Sequence, residues 1–183
     1  NGELDAVNAN VVSVYKELEN VKNAEFRQGQ RLFAGGVVMN PVKVDTPLRR
    51  AIMVGLDRKA LSDTRFKGLP FNETLPGSRI HMPFSEYYAD SMPQAADRKA
   101  AAAKILEEAG YAKNSDFYDK DGKRAKVVVN NFSEDNPIKS LAPFLSQQLR
   151  DLGIESDVDQ QPASNLGKVM SAKEHELSFI GYS

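Results

Sequence analysis

No cysteine occurs in the 183 residues, which excludes disulfides, thiolate metal sites and cysteine nucleophiles. The compartment stays open, because many exported proteins also lack cysteine. Net charge is lacking too. The 24 Lys and Arg stand against 25 Asp and Glu, a balance of -1, so there is no electrostatic footprint for gripping nucleic acid or an anionic membrane. No apolar run approaches the ~20 residues of a membrane span. The opening "NGELDAV" has neither the basic start nor the apolar middle of an export signal. It also lacks an initiating methionine and reads as the middle of a structured segment, which leads us to expect a processed or excised piece.

Catalytic punctuation is missing as well. There is no Gly-x-Ser-x-Gly elbow, no phosphate loop, and no Gly-x-Gly-x-x-Gly after a strand, so nothing points to an enzyme or a nucleotide cofactor. The two histidines, His81 and His175, stand in no metal-ligand spacing. In "KEHEL" the glutamates flanking His175 point to different sides of either a helix or a strand, and His175 is expected at the solvent. His81, in "SRIHMPF", reads first as a surface or packed loop histidine, with a role at a ligand surface as the alternative. "FYDKDGK" raises the question of calcium. Setting Gly122 at the sixth position of a calcium loop puts Asp119 third and Asp121 fifth, but Phe117 first and Val128 twelfth, and both of those anchoring ends are apolar. The stretch therefore reads as a turn with solvated aspartates. The acidic pairs Glu107-Glu108 and Asp157-Asp159 read as an exposed helix face and the outward face of a strand.

What is present suits one globular domain or a lobe of something larger: 41% of residues are hydrophobic and 27% charged. Short apolar stretches alternate with helical patterns, which argues for an α/β arrangement. "ELDAV" reads as a strand, about Asn8 to Val21 as a helix, and "AEFRQGQ" and "LFAGGVVMN" as strands, with Gly35 and Gly36 marking a bulge. Thr46 is placed to cap a helix beginning at Pro47, and Asp57 to cap a second. Gly68 to Pro93 reads as a long ordered loop. A helix starts near Asp97 and ends at Gly110 in the left-handed cap position. The last third reads as β-α-β-α-β. Its elements are "RAKVVVNNF", a helix carrying Leu141, Leu145, Leu149 and Leu152, "IESDVDQ", a helix in "ASNLGKVMSAK", and "ELSFIGYS". Pro143 leaves the start of the leucine helix open between Asn136 and Ser140. Connections of this length make parallel neighbours with right-handed crossovers. In such a sheet ligands bind beyond the C-terminal strand ends, here Asn130 to Ser133, Gln160 to Gln161 and Tyr182 to Ser183, although by this rule alone ordinary loop residues are the first reading of these positions.

Several segments together resemble the extracellular solute-binding proteins of ABC transporters in family 5, the group of dipeptide-, oligopeptide- and nickel-binding receptors. "GELDA" is similar to the lead into that family's second large lobe. In "DTPLRRAIMVGLDRKAL", Asp45, Arg49, Ala51, Ile52, Leu56, Asp57 and Arg58 match its helix pattern, while Pro47 stands for the usual first arginine and Arg50 for a glutamine. "KGLPFNETLPGS", "KILEEAGY", the Asp-Gly-Lys turn, "LRDLGI" and "HELSFIGYS" follow in the family's order. The resemblance implies a periplasmic-binding-protein-like lobe with a mixed, mainly parallel sheet flanked by helices, and takes residues 1–183 as a single lobe of a longer two-lobed receptor. It further implies a monomer that binds peptide or another small solute outside the membrane, in the periplasm or on a lipid anchor. Such a receptor delivers its solute to permease subunits, without a cofactor, reaction or nucleic acid. The same scaffold also serves nickel or metal-chelate receptors, for which His81 is the one feature here. By the likeness Tyr182, in the place of the family's tryptophan, lines the cleft with Ser183, and Asn131, Phe132 and Ser133 contact ligand.

Overall fold

A computed structural model of the chain describes residues 5–9, 12–29, 32, 34–71, 73–134 and 136–182, apart from the side chains of 136, 137 and 182. Helix α1 (Val12–Glu19) leads to strand β1 (Ala34–Met39), then α2 (Thr46–Gly55), α3 (Arg58–Arg65) and α4 (Arg98–Glu108). A small meander follows, β2 (Ala112–Asn114), β3 (Phe117–Lys120) and β4 (Lys123–Arg124). The chain closes with β5 (Lys126–Asn131), α5 (Asn136–Asp151), β6 (Glu155–Gln160), a short 3-10 turn (Ala163–Asn165), α6 (Leu166–Ser171) and β7 (Leu177–Tyr182). The main sheet has the order β1-β7-β5-β6, with β5 parallel to both neighbours and β1 antiparallel on β7.

Alternating side chains divide the sheet into two faces. Val127 and Val129 of β5 and Leu177 of β7 point to one side and are fully buried there with Ile52, Leu106, Leu145, Leu149 and Ile154 from the helical layer and its connections. The predicted core leucines Leu141, Leu145 and Leu149 of α5, and Leu152 just past its end, are all buried. Two helices end alike. In "LEEAGY" Tyr111 N–H donates to Leu106 O at 3.0 Å and Gly110 N–H to Glu107 O at 3.0 Å; in "LRDLGI" Ile154 N–H donates to Leu149 O at 3.0 Å and Gly153 N–H to Arg150 O at 2.9 Å. Each closes the helix with a left-handed glycine and drops an apolar residue back onto the core. At Gly153, φ is +80° and an added Cβ would stand 2.8 Å from the Tyr118 ring, so only glycine fits.

Caps follow the sequence with one displacement. Asp45, not Thr46, caps α2: its Oδ1 accepts from Leu48 N–H at 2.9 Å, while Thr46 Oγ1 accepts from Arg49 at 2.8 Å. Asp57 and Asp97 cap α3 and α4 as predicted. Asp57 also takes Arg98 at 2.7 Å, and its N–H donates to Gln148 at 2.8 Å, which ties three helices at one residue. Helix α5 starts at Asn136, so Pro143 lies inside it. The carbonyl deprived of its N–H belongs to Lys139, which faces solvent, so water can take the missing bond.

Other expectations fail for stateable reasons. Residues 5–7 and 24–29 form no strand, since among the described residues no strand pairs with them, and Glu3, Leu4 and Gln30 lie outside the described residues. Gly35 and Gly36 make no bulge, because they pair one to one with Gly181 and Ile180. The helix predicted over Asn8 to Val21 is shorter and buries none of its residues. Asp121 is a solvated turn residue at φ +51°, followed by Gly122 at +73°, which gives the hairpin its two left-handed residues. Asp119 is not in the turn. It sits in β3, paired with Arg124 at 2.9 Å and accepting from Asn114 at 2.6 Å, because the meander places a cation opposite it.

Leu149→Ala should cost ~2–5 kcal/mol of unfolding free energy, read by denaturant titration, because the closed core leaves a cavity in place of the side chain. A loss below that range would mean α5 relaxes into the space. A second expectation concerns alkali. Burial, with the Tyr111 hydroxyl donating to Asp45 at 2.7 Å, raises the phenol well above its ordinary 10.0. The neutral form is thus favoured in the folded state, and its contribution is present below pH ~10 and lost as pH rises further. Stability should fall above that pH in the wild type and fall less in Tyr111→Phe.

Candidate functional site

The chain runs from β5 through α5 to β6 in one direction, then returns through α6 across β5 to β7 on its other side. Right-handed crossovers in opposite directions place α5 and α6 on opposite faces, and the strand order reverses between β5 and β7. Val169 of α6 is accordingly buried yet stands apart from the core shared with α5. Strand β7 is also displaced along β5. It pairs with β5 only at Val129↔Leu177 and Asn130↔Ser178, whereas β5 and β6 pair over their whole lengths. Residues 179–182 therefore run on beyond the parallel pairing, supported by β1, and leave a step at the C-terminal edge of the sheet.

Amides line the β5 and β6 side of that step. Asn130, 6% exposed, spans both neighbours: Nδ2 donates to Asp159 on β6 at 3.0 Å, and Oδ1 accepts from Glu176 N–H, just before β7, at 2.8 Å. Asn131 is buried as the last residue of β5, with Nδ2 donating to Gln160 at 2.8 Å and Oδ1 accepting from Ser133 N–H at 3.3 Å. Phe132 is buried but, like Val169, outside the main core, and Ser133 is half-buried. Gln161 closes the edge, donating from its side chain to Asp159 and accepting from Asn165 at 3.3 Å.

Charge lies at the other end of these strands. Lys126, first in β5, pairs with Asp157 at 2.6 Å and Glu155 at 3.1 Å, and Arg124 and Arg150 join the same group. The hydrogen bond with Asp157 is the main cause that raises the Lys126 pKa, and its counterpart lowers that of Asp157. At the C-terminal edge Asp159 is the charged member, and it is held by neutral amides.

Of the sequence-predicted site residues, the fold brings Asn131, Phe132 and Ser133 together at this edge. Tyr182 ends β7 opposite Ala34; its side chain and Ser183 lie outside the described residues. His81 belongs to the long loop after α3, where its ring meets Tyr87 at 5.7 Å between centroids and its N–H donates to Ser78 at 3.2 Å. Among the described residues no group of three His, Cys, Asp or Glu could hold a metal ion. A shallow open groove between Thr46, Arg50, Ile105 and Glu108 sits on the helical layer, away from the sheet edge.

His175 is a correction. Expected at the solvent, it is 7% exposed, because the turn from α6 into β7 folds inward and Asn40 receives it: Asn40 Nδ2 donates to the carbonyls of His175 at 2.7 Å and Lys173 at 2.8 Å. Burial lowers its pKa. Asn40 and Glu176, whose carboxylate accepts from Val128 N–H at 2.7 Å, escaped sequence reasoning. Asn40 follows a strand and precedes Pro41, which reads as turn punctuation, and nothing local tells that its partner lies 133 positions on.

Solved structures with the same arrangement include the oligopeptide-binding protein AppA of Bacillus subtilis in complex with a nonapeptide (TM-score 0.72, 21% identity, covering 94% of this chain and 35% of that one). NikZ of Campylobacter jejuni in complex with Ni(L-His) is similar (0.68, 21%, 94% and 34%), as is the periplasmic binding protein MelB of Agrobacterium fabrum in complex with stachyose (0.75, 19%, 94% and 29%). At such identity the likeness shows the fold, and this chain spans about a third of their lengths. No curated protein matches the sequence. Residues 1–183 match the family model of bacterial extracellular solute-binding proteins, family 5, in its middle section, and the chain belongs to that family of ABC-transporter binding proteins.

Proposed function

We propose that this chain is one lobe of a two-lobed receptor that captures dipeptides or oligopeptides outside the cell membrane and passes them to an ABC permease. The observation that carries this reading is the step between β5 and β7, where Asn131, Phe132 and Ser133 leave the sheet beside the overhanging end of β7. A peptide main chain offers one donor and one acceptor per residue, and an edge of carbonyls, N–H groups and side-chain amides is its chemical complement. Phe132, buried behind the edge, backs it with apolar bulk, and Tyr182 and Ser183 are proposed on the facing side.

Capture and release need no reaction, and no residue of the site is assigned a catalytic role. The second wall comes from the rest of the polypeptide, so binding is closure of two lobes on the solute. The receptor works as a monomer, free in the periplasm or held by a lipid anchor.

The test is a thermal-unfolding scan of the complete receptor against separate pools of dipeptides, longer peptides, sugars and nickel chelates. A pool member at ~100 times its dissociation constant stabilises the native state by roughly 2.7 kcal/mol, a shift of a few degrees. A shift with one peptide pool supports the reading and sets the length class. A response to chelates alone, lost in His81→Ala, would overturn the peptide assignment in favour of a metal-chelate receptor, and a response to sugars alone would overturn it too. The isolated lobe should bind the same solute far more weakly. Affinity within about ten-fold, or 1.4 kcal/mol, of the complete receptor would refute the two-lobe site.

A further inference from the structure

Gln160 is the last residue of β6 and lies opposite Asn131, the last residue of β5. Beyond this pair the two strands part. One backbone bond, Gln161 N–H to Asn131 O at 2.9 Å, marks the end of the ladder. The amide of Gln160 then carries the connection onward. Its Nε2 stands 3.2 Å from Asn131 O, 3.2 Å from Ser133 O and 3.3 Å from Gln161 O, while its Oε1 accepts from Asn131 Nδ2 at 2.8 Å. Asn131 Oδ1 in turn accepts the Ser133 N–H at 3.3 Å.

A primary amide has two N–H groups, and here three carbonyls share them. No donor of Gln160 is left for a solute, although the side chain is exposed. What it does is bridge the end of β6 to the turn that follows β5, across a gap that backbone pairing no longer spans.

We propose that Gln160 is a positioning residue for solute capture: its amide clamps the 131–133 turn at the β5–β7 step, and it acts on affinity through that turn without touching the solute. The inference rests on the reading that this step is the binding edge. Glutamate at the same position keeps the shape and the acceptor for Asn131 but sets a carboxylate against three carbonyls. Protonated glutamate is again a donor, so Gln160→Glu carries a switch that a merely structural defect lacks.

The experiment compares the complete receptor as wild type, Gln160→Ala and Gln160→Glu. Amide hydrogen exchange at Ser133 and Gln161 is followed without solute, and affinity is titrated with a nonapeptide pool. Exchange at both amides should quicken about ten-fold or more in either variant, with the solute-free melting temperature nearly unchanged. Affinity should drop about ten-fold at pH 7 in both variants. Relative to wild type at the same pH, only Gln160→Glu should recover, as pH falls through ~4.3.

Unchanged exchange in Gln160→Ala overturns the clamp. Faster exchange with intact affinity shows a turn that is clamped but does not meet the solute, which overturns both this inference and the placement of the site. Affinity lost in Gln160→Glu without recovery at low pH assigns Gln160 a structural role instead. A wild-type receptor indifferent to the nonapeptide pool refutes the peptide reading and the solute half of this inference, while exchange still decides the clamp.

Discussion

The architecture depends on β5 pairing in parallel on both of its edges. A strand in that position can be buried on both faces, and its neighbours must arrive by crossovers, because no tight turn joins parallel strands. Both crossovers start or end beside β5, one on each face, so the same constraint buries Val127 and Val129 against α5 and opens the reversal of strand order. Asn130 reinforces this point in a way no apolar residue could. Its amide joins Asp159 on one side and Glu176 on the other, and stays satisfied while buried.

The edge proposed for binding follows from unequal pairing. β6 matches β5 residue for residue, whereas β7 meets it at two positions and runs on with β1. Backbone groups beyond the last pair must find other partners or water. On the β6 side the amides of Gln160 and Asn131 fill that role, which gives a hydrogen-bonding edge whose one strand carboxylate, Asp159, is held by the amides of Asn130 and Gln161. The ion pairs of the same strands sit at the opposite end, where Lys126 meets Glu155 and Asp157. Amide hydrogen bonding and ionic bracing are thus separated along one pair of strands.

Much of this was legible because it is local. Aspartates at 57 and 97 cap helices through a carboxylate that reaches an N–H three residues on, glycines at 110 and 153 sit in left-handed caps, and the leucines of α5 repeat at helical spacing. The strand ends at Asn130 to Ser133 and Gln160 to Gln161 were found from the alternation of elements, which predicts parallel order. Errors arose where a residue's state depends on distant chain. His175 looked solvated among its charged neighbours and is buried because Asn40, 135 positions away, takes its carbonyl. The stretch at 24–29 carries strand-like residues, and among the described residues no strand pairs with it.

By itself, then, the sequence determined the α/β class, the caps at Asp57 and Asp97, the β-α-β-α-β order of the last third and the family, since each is written in short-range spacing and in motifs that follow one another along the chain. The stagger of β7 on β5, the inward turn at His175 and the amide bridge of Gln160 were decided by tertiary structure alone. Their cause is the register of strands brought together from separate parts of the chain. Register is set by how whole faces pack, and no local stretch of residues contains it.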